Sequence, residues 1–139
     1  MNAEAVKHLE FIQGVIGRMN TNSFLIKGWS VTLVAALFAL AAKDANVMFA
    51  VVAYLPIVLF WLLDGFYLSQ ERQYRALFKD IAASGGAGAP AFQMDASGRG
   101  GANATWPRGV LAGTVATFYG ALVAVTLVVM LVPSRAVDR

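Results

Sequence analysis

Few residues of this chain have the chemistry for catalysis, ligand binding or proton transfer. Lys27 and Asp64 are the sharpest case, opposite charges at the edges of two long apolar stretches. An isolated charge in such a place is costly and a paired one less so. Two readings fit the pair: a gate or proton-coupled site, or a staple at a membrane interface with Lys27 snorkelling toward headgroups. His8 is the only histidine, beside Glu4 and Glu10. A histidine metal site needs several convergent ligands, so His8 is expected to be a solvated surface residue. There is no cysteine, which excludes disulfides, thiolate metal sites and a cysteine nucleophile. No nucleophile–base pair, inward carboxylate pair or dinucleotide fingerprint can be assembled. The GRGGAN stretch at 98–103 lacks the preceding strand and the following Lys-Ser/Thr of a phosphate loop. The residues therefore predict no enzyme, no cofactor and no metal.

The elements that must carry Lys27 and Asp64 follow from composition. Of 139 residues, 58% are hydrophobic and only 14% charged, with a mean hydropathy of +0.62. With the 13 glycines added, about two-thirds of the chain is apolar, against roughly 45–50% for a soluble domain counted the same way. That excludes a soluble enzyme and a nucleic-acid module, since too few polar groups remain to cover a soluble surface. A bilayer core of roughly 30 Å needs about 20 apolar residues in a helix. Spans are predicted at about 24–42, 47–68 and 108–133, with a tail at 134–139. The link Lys43-Asp44-Ala45-Asn46 forces the first two into an antiparallel hairpin. Charged and polar residues persist through Arg18, Asn20, Asn22 and Ser23, so residues 1–23 are not read as a cleavable signal.

Basic residues set the direction. Residues 1–27 and the long loop hold Lys7, Arg18, Lys27, Arg72, Arg75, Lys79, Arg99 and Arg108; the other side holds Lys43, Arg135 and Arg139. The eight-to-three excess places the N-terminus and loop in the cytoplasm and the C-terminus outside. Helical spacing extends the hairpin there. Val6, Leu9, Ile12, Ile16 and Met19 form one apolar stripe, and Tyr74, Leu77, Phe78 and Ile81 another within 69–83. In this register, facing residues have numbers summing to about 91. Lys27 meets Asp64, Arg18 falls near Glu71 and Glu10 near Lys79. The basic face of 72–79 suits anionic lipid headgroups. Trp29, Trp61, Tyr67 and Trp106 are expected at the cytoplasmic interface, and Pro56 is expected to kink the second span.

The third span carries two small-residue rows at spacing four: Gly109, Gly113, Thr117, Ala121, and Ala112, Ala116, Gly120, Ala124. Such rows let helices approach closely in lipid, predicting a homo-oligomer or close packing on the hairpin. Thr114, Thr117 and Tyr119 add hydroxyls that either line a narrow pore or bond within the helices. Residues 84–107 read as a flexible Gly/Ala-rich cytoplasmic linker, with Ala91, Phe92, Gln93 and Met94 as an apolar docking spot.

The stretches NSFLIKGW (22–29) and FWLLDGFYLSQERQYRALF (60–78) resemble small bacterial inner-membrane proteins with a long transmembrane hairpin. More distantly, the architecture is similar to SLATT-type membrane effectors of bacterial conflict systems. The resemblance implies a membrane-perturbing effector with a role in antiphage defence. The expectation is an all-α, three-span inner-membrane protein that forms homo-oligomers. It acts as a pore-forming effector controlled by its cytoplasmic helices, or as a non-conducting scaffold presenting them to a protein partner.

Overall fold

A computed structural model describes residues 1–87 and 92–136, and the side chains through residue 132. Its first element, α1 (Ala3–Asp44), is one unbroken 42-residue helix, roughly 63 Å long at 1.5 Å per residue. The Asn2 side chain caps it by accepting the Ala5 N–H at 2.8 Å. Lys43 stands in its last turn, where a cation suits the helix dipole. Ala45, with φ 49°, turns the chain out of the helix. The Asn46 carboxamide then accepts the Met48 N–H at 2.9 Å and starts α2 (Met48–Val52).

Where Pro56 is expected to kink the span, Ala53 is a turn residue of helical φ −61° and ψ −23° between α2 and α3 (Tyr54–Ser84). Pro56 cannot donate to the Val52 carbonyl, and its ring crowds that group. Proline is tolerated in the first turn of a helix, where N–H groups lack partners, and Pro56 sits there in α3. The far end closes with Gly85 at φ 62°, and the Gly86 N–H bonds the Ile81 carbonyl. This glycine cap satisfies the last carbonyls.

α1 and α3 lie against each other through two apolar clusters. In one half Ile12 and Ile16 pack with Leu77 and Ile81. In the other, Val34 meets Ala53 and Ile57. Three helices are long and apolar enough to cross a membrane, and much of their bulk faces outward: Phe24, Leu33, Leu55, Leu59 and Val128 are exposed. The fold is all-α among the described residues.

Two expectations are corrected. The third span does not run unbroken from residue 108. A short α4 (Trp106–Val110) precedes α5 (Gly113–Ala136), with the chain leaving the helix at 111–112. Close docking of Gly109 redirects the chain: a Cβ on Gly109 would strike the Gly65 carbonyl, and one on Gly65 would lie 2.7 Å from the Val110 Cα. The supposed linker is also not loose over 92–105. Ala96 and Ala104 are buried, a 3-10 turn forms at Gly101–Ala104, and Met94 packs on the Ile12/Leu77 cluster. Arg72 and Gln73 donate to the Asn103 and Ala104 carbonyls at 2.8 and 3.1 Å. Small residues let this segment lie close to α3 and spend its carbonyls on α3 side chains. Ala91 and the tail at 137–139 lie outside the described residues.

Candidate functional site

Spacing on α1 builds the site. Ser23 and Lys27 are four residues apart and share a helix face, which the hairpin register places opposite Asp64 of α3. Lys27 Nζ lies 2.5 Å from Asp64 Oδ2 and also donates to Ser23 Oγ at 2.9 Å. The Ser23 hydroxyl donates to Asp64 Oδ1. Each carboxylate oxygen therefore has a donor, as a buried carboxylate requires. Burial is uneven: the Asp64 side chain is 0% exposed and that of Lys27 24%. Phe118 of α5 covers the ammonium, its ring centre 5.9 Å from Nζ. Ser30 donates back to the Lys27 carbonyl. The Tyr119 hydroxyl is buried toward Ser30 and Asp64 but reaches hydrogen-bond geometry with no side chain. The arrangement can lock three helices in one register, and it pairs a buried carboxylate with a partly exposed ammonium.

The outer two cross-hairpin pairs do not form. Glu71 is taken by Arg75, with Nε and Nη2 at 2.8 and 2.7 Å from Oε1. Glu10 is taken by Lys7 at 2.9 Å. Both partners are helix neighbours at i+4 and i−3, already placed by the backbone, whereas Arg18 and Lys79 are exposed. The charge that does cross to the loop segment is unforeseen: Arg99 meets Asp80 at 2.7 Å.

His8 is also corrected. It is 4% exposed, and its Nε2 donates to the Gln93 carbonyl at 2.7 Å. The Phe92 ring lies 5.9 Å from both His8 and Phe11. Its position on the stripe side of α1, four residues before Ile12, is the signal that points to burial. In the same segment, the Ser97 side chain and then its backbone N–H bond Asp95, and Arg99 adds its charge. Together they hold that carboxyl below the usual range against a small opposing effect of burial.

The aromatic anchors divide. Trp61 Nε1 donates to the Val110 carbonyl at 2.9 Å and Trp106 Nε1 to the Leu62 carbonyl at 3.0 Å, so both indoles fasten α4 to α3. Tyr67 is half-buried beside Phe66, and Trp29 is exposed. The small residues divide too. Gly109 and Ala112 are buried, Ala116 and Gly120 half-buried, and Gly113, Thr117, Ala121 and Ala124 exposed. The α5 side that meets the hairpin is bulky, led by Val115 and Tyr119. Among the described residues, no group of three or more His, Cys, Asp or Glu could hold a metal ion.

The class so defined is an all-helical protein with three helices able by length and composition to cross a membrane. Compared with protein-family models, characterised proteins and solved structures, the chain matches none.

Proposed function

We propose that the protein is a non-conducting, homo-oligomeric anchor of the bacterial inner membrane that presents a rigid cytoplasmic stalk to a protein partner. The ordered packing of 92–105 on the outer halves of α1 and α3, through His8, Asp80, Arg72 and Gln73, carries this reading. A helical pair clasped by its own loop keeps one shape, as a docking platform must. The charged side chains within the spans support it further, because Lys27 and Asp64 compensate each other. The eight-to-three basic excess supports a cytoplasmic stalk.

A second reading is favoured by the outward Thr114 and Thr117 beside Gly113 and Ala121. Copies joined through that face would form a membrane-perturbing effector controlled by the stalk. Induced expression with a membrane-potential dye separates the two. The anchor leaves potential and growth unchanged, and depolarisation on induction refutes it in favour of the effector.

A further inference from the structure

The stalk carries a cleft that the hairpin does not use. Arg72, Arg75 and Lys79 lie at i, i+3 and i+7 on one face of α3 and, with Gly100 and Asn103, line a cavity of about 320 Å³. We propose that this cleft binds the phosphate of an anionic phospholipid headgroup.

Donors remain available in it. Arg72 spends one Nη1 hydrogen bond on the Asn103 carbonyl, and a guanidinium has five N–H donors. Arg75 is engaged by Glu71, while Lys79 is exposed and in no ion pair among the described residues. Among the described residues, Glu71, through Arg75, is the one carboxylate paired with any of the three cations. Asp80 is held by Arg99, and the facing turn, Gly101–Ala104, has no titratable side chain. The wall depends on Gly100, at φ +81°, where a Cβ would lie 2.8 Å from the Ala104 Cβ. A positive cleft with a glycine wall suits phosphate oxygens, which Arg and Lys recognise by charge-assisted hydrogen bonds.

Height along α3 selects the source of the phosphate. Arg72 is eight residues beyond Asp64, about 12 Å of helical rise. With Asp64 about one turn inside the hydrocarbon boundary, that level falls within the headgroup layer, roughly 5–8 Å deep per leaflet. Trp106, exposed and bonded to Leu62, marks the interface just below. Arg75 and Lys79 stand about 5 and 10 Å further out, at and beyond the outer edge of that layer, where their charge attracts an anionic surface within a Debye length. The inference requires α3 to cross the bilayer and is independent of whether the protein conducts.

Native mass spectrometry of the full-length protein in neutral detergent tests it, with phosphatidylglycerol, phosphatidylcholine and inorganic phosphate titrated separately. Phosphatidylglycerol should be retained over phosphatidylcholine. Lys79→Gln, at an exposed position, should weaken retention about fivefold, the worth of one basic residue at a lipid surface. The triple change Arg72→Gln, Arg75→Gln, Lys79→Gln should abolish the preference. Glu71→Gln should tighten binding, a gain that misfolding cannot imitate. Equal retention of the two lipids, or a preference that survives the triple change, overturns the proposal. Inorganic phosphate that displaces phosphatidylglycerol at equal concentration also overturns it and assigns the cleft to a soluble phosphate compound.

Discussion

Removing either member of the Lys27–Asp64 pair should destabilise the protein, but not equally. Lys27→Ala leaves the Asp64 carboxylate 0% exposed with Ser23 as its remaining donor. An uncompensated buried charge of this kind costs roughly 3–5 kcal/mol, a large share of the ~5–15 kcal/mol that holds a typical domain folded. Asp64→Ala leaves an ammonium on a side chain 24% exposed. A flexible four-carbon stem can carry that charge toward headgroups, so the loss should be nearer ~1–3 kcal/mol, the cost of a buried group left without its partner. Replacing both by Met and Leu removes charge and partner together and should cost least, since such exchanges are often neutral. Unfolding in mixed micelles followed by tryptophan fluorescence gives the three values and their coupling. Equal losses for the two single changes refute the argument from unequal burial, and zero coupling refutes the pair itself. The reversal Lys27→Asp with Asp64→Lys should recover part of the loss. Ser23 can accept as well as donate, but the α3 position is closed to solvent and holds an ammonium poorly.

Other residues give sharper yes-or-no outcomes. Gly109→Ala should destabilise by about 1–3 kcal/mol, as overpacking does, because its Cβ meets the Gly65 carbonyl. Gly113→Ala and Gly120→Ala, whose Cβ atoms would meet nothing within 4 Å, should leave chain stability intact and weaken self-association, read by cross-linking in lipid. His8→Leu should release the 92–105 segment by removing the bond to the Gln93 carbonyl, read as faster amide exchange there; unchanged exchange rejects the clasp. The Asp95 carboxyl is held low in the folded state. Its contribution is therefore complete above the unfolded carboxylate pKa of about 4 and disappears as pH falls through the lower folded value. Amide exchange around Ser97 should rise in that window, and Asp95→Asn should remove the rise.

Long-range helical geometry was legible because it rests on periodicity and one short turn. Four residues between apolar runs define the hairpin, and the resulting register brings Lys27 to Asp64 and Val34 to Ile57. The same register gave wrong partners for Glu71 and Glu10, because charged side chains outside the spans answer to the nearest neighbour. Arg75 and Lys7 need no tertiary structure to reach them. The segment 92–105 was opaque for a different reason. Its order comes from backbone carbonyls and small side chains meeting α1 and α3, and composition counts such residues as linker. Likewise, small-xxx-small spacing marks where helices can approach without saying which helix arrives. The Gly109 contact is made by α4 on Gly65, and α5 offers its exposed small residues to the outside.

Asp64 and Gly65 are consecutive, and this adjacency ties the Lys27–Asp64 cluster to the far half of α3. Asp64 fixes α1 through Lys27 and Ser23. One residue later, Gly65 receives Gly109, with Trp61 and Trp106 bonded across the same contact. The 3-10 turn just before α4 is held in turn by Arg72 and Gln73 of α3. A shift of α3 along α1 by a single residue would therefore break the ion pair and pull on the 92–105 segment, which is bonded to α3 through Arg72 and Gln73 and to α1 through His8. Interactions sharing one rigid helix fail as a unit. Loosening the Lys27–Asp64 pair should then accelerate amide exchange in 92–105, which packs on the other half of the hairpin. Exchange confined to the spans of Lys27→Ala would show that the two ends of α3 are independent.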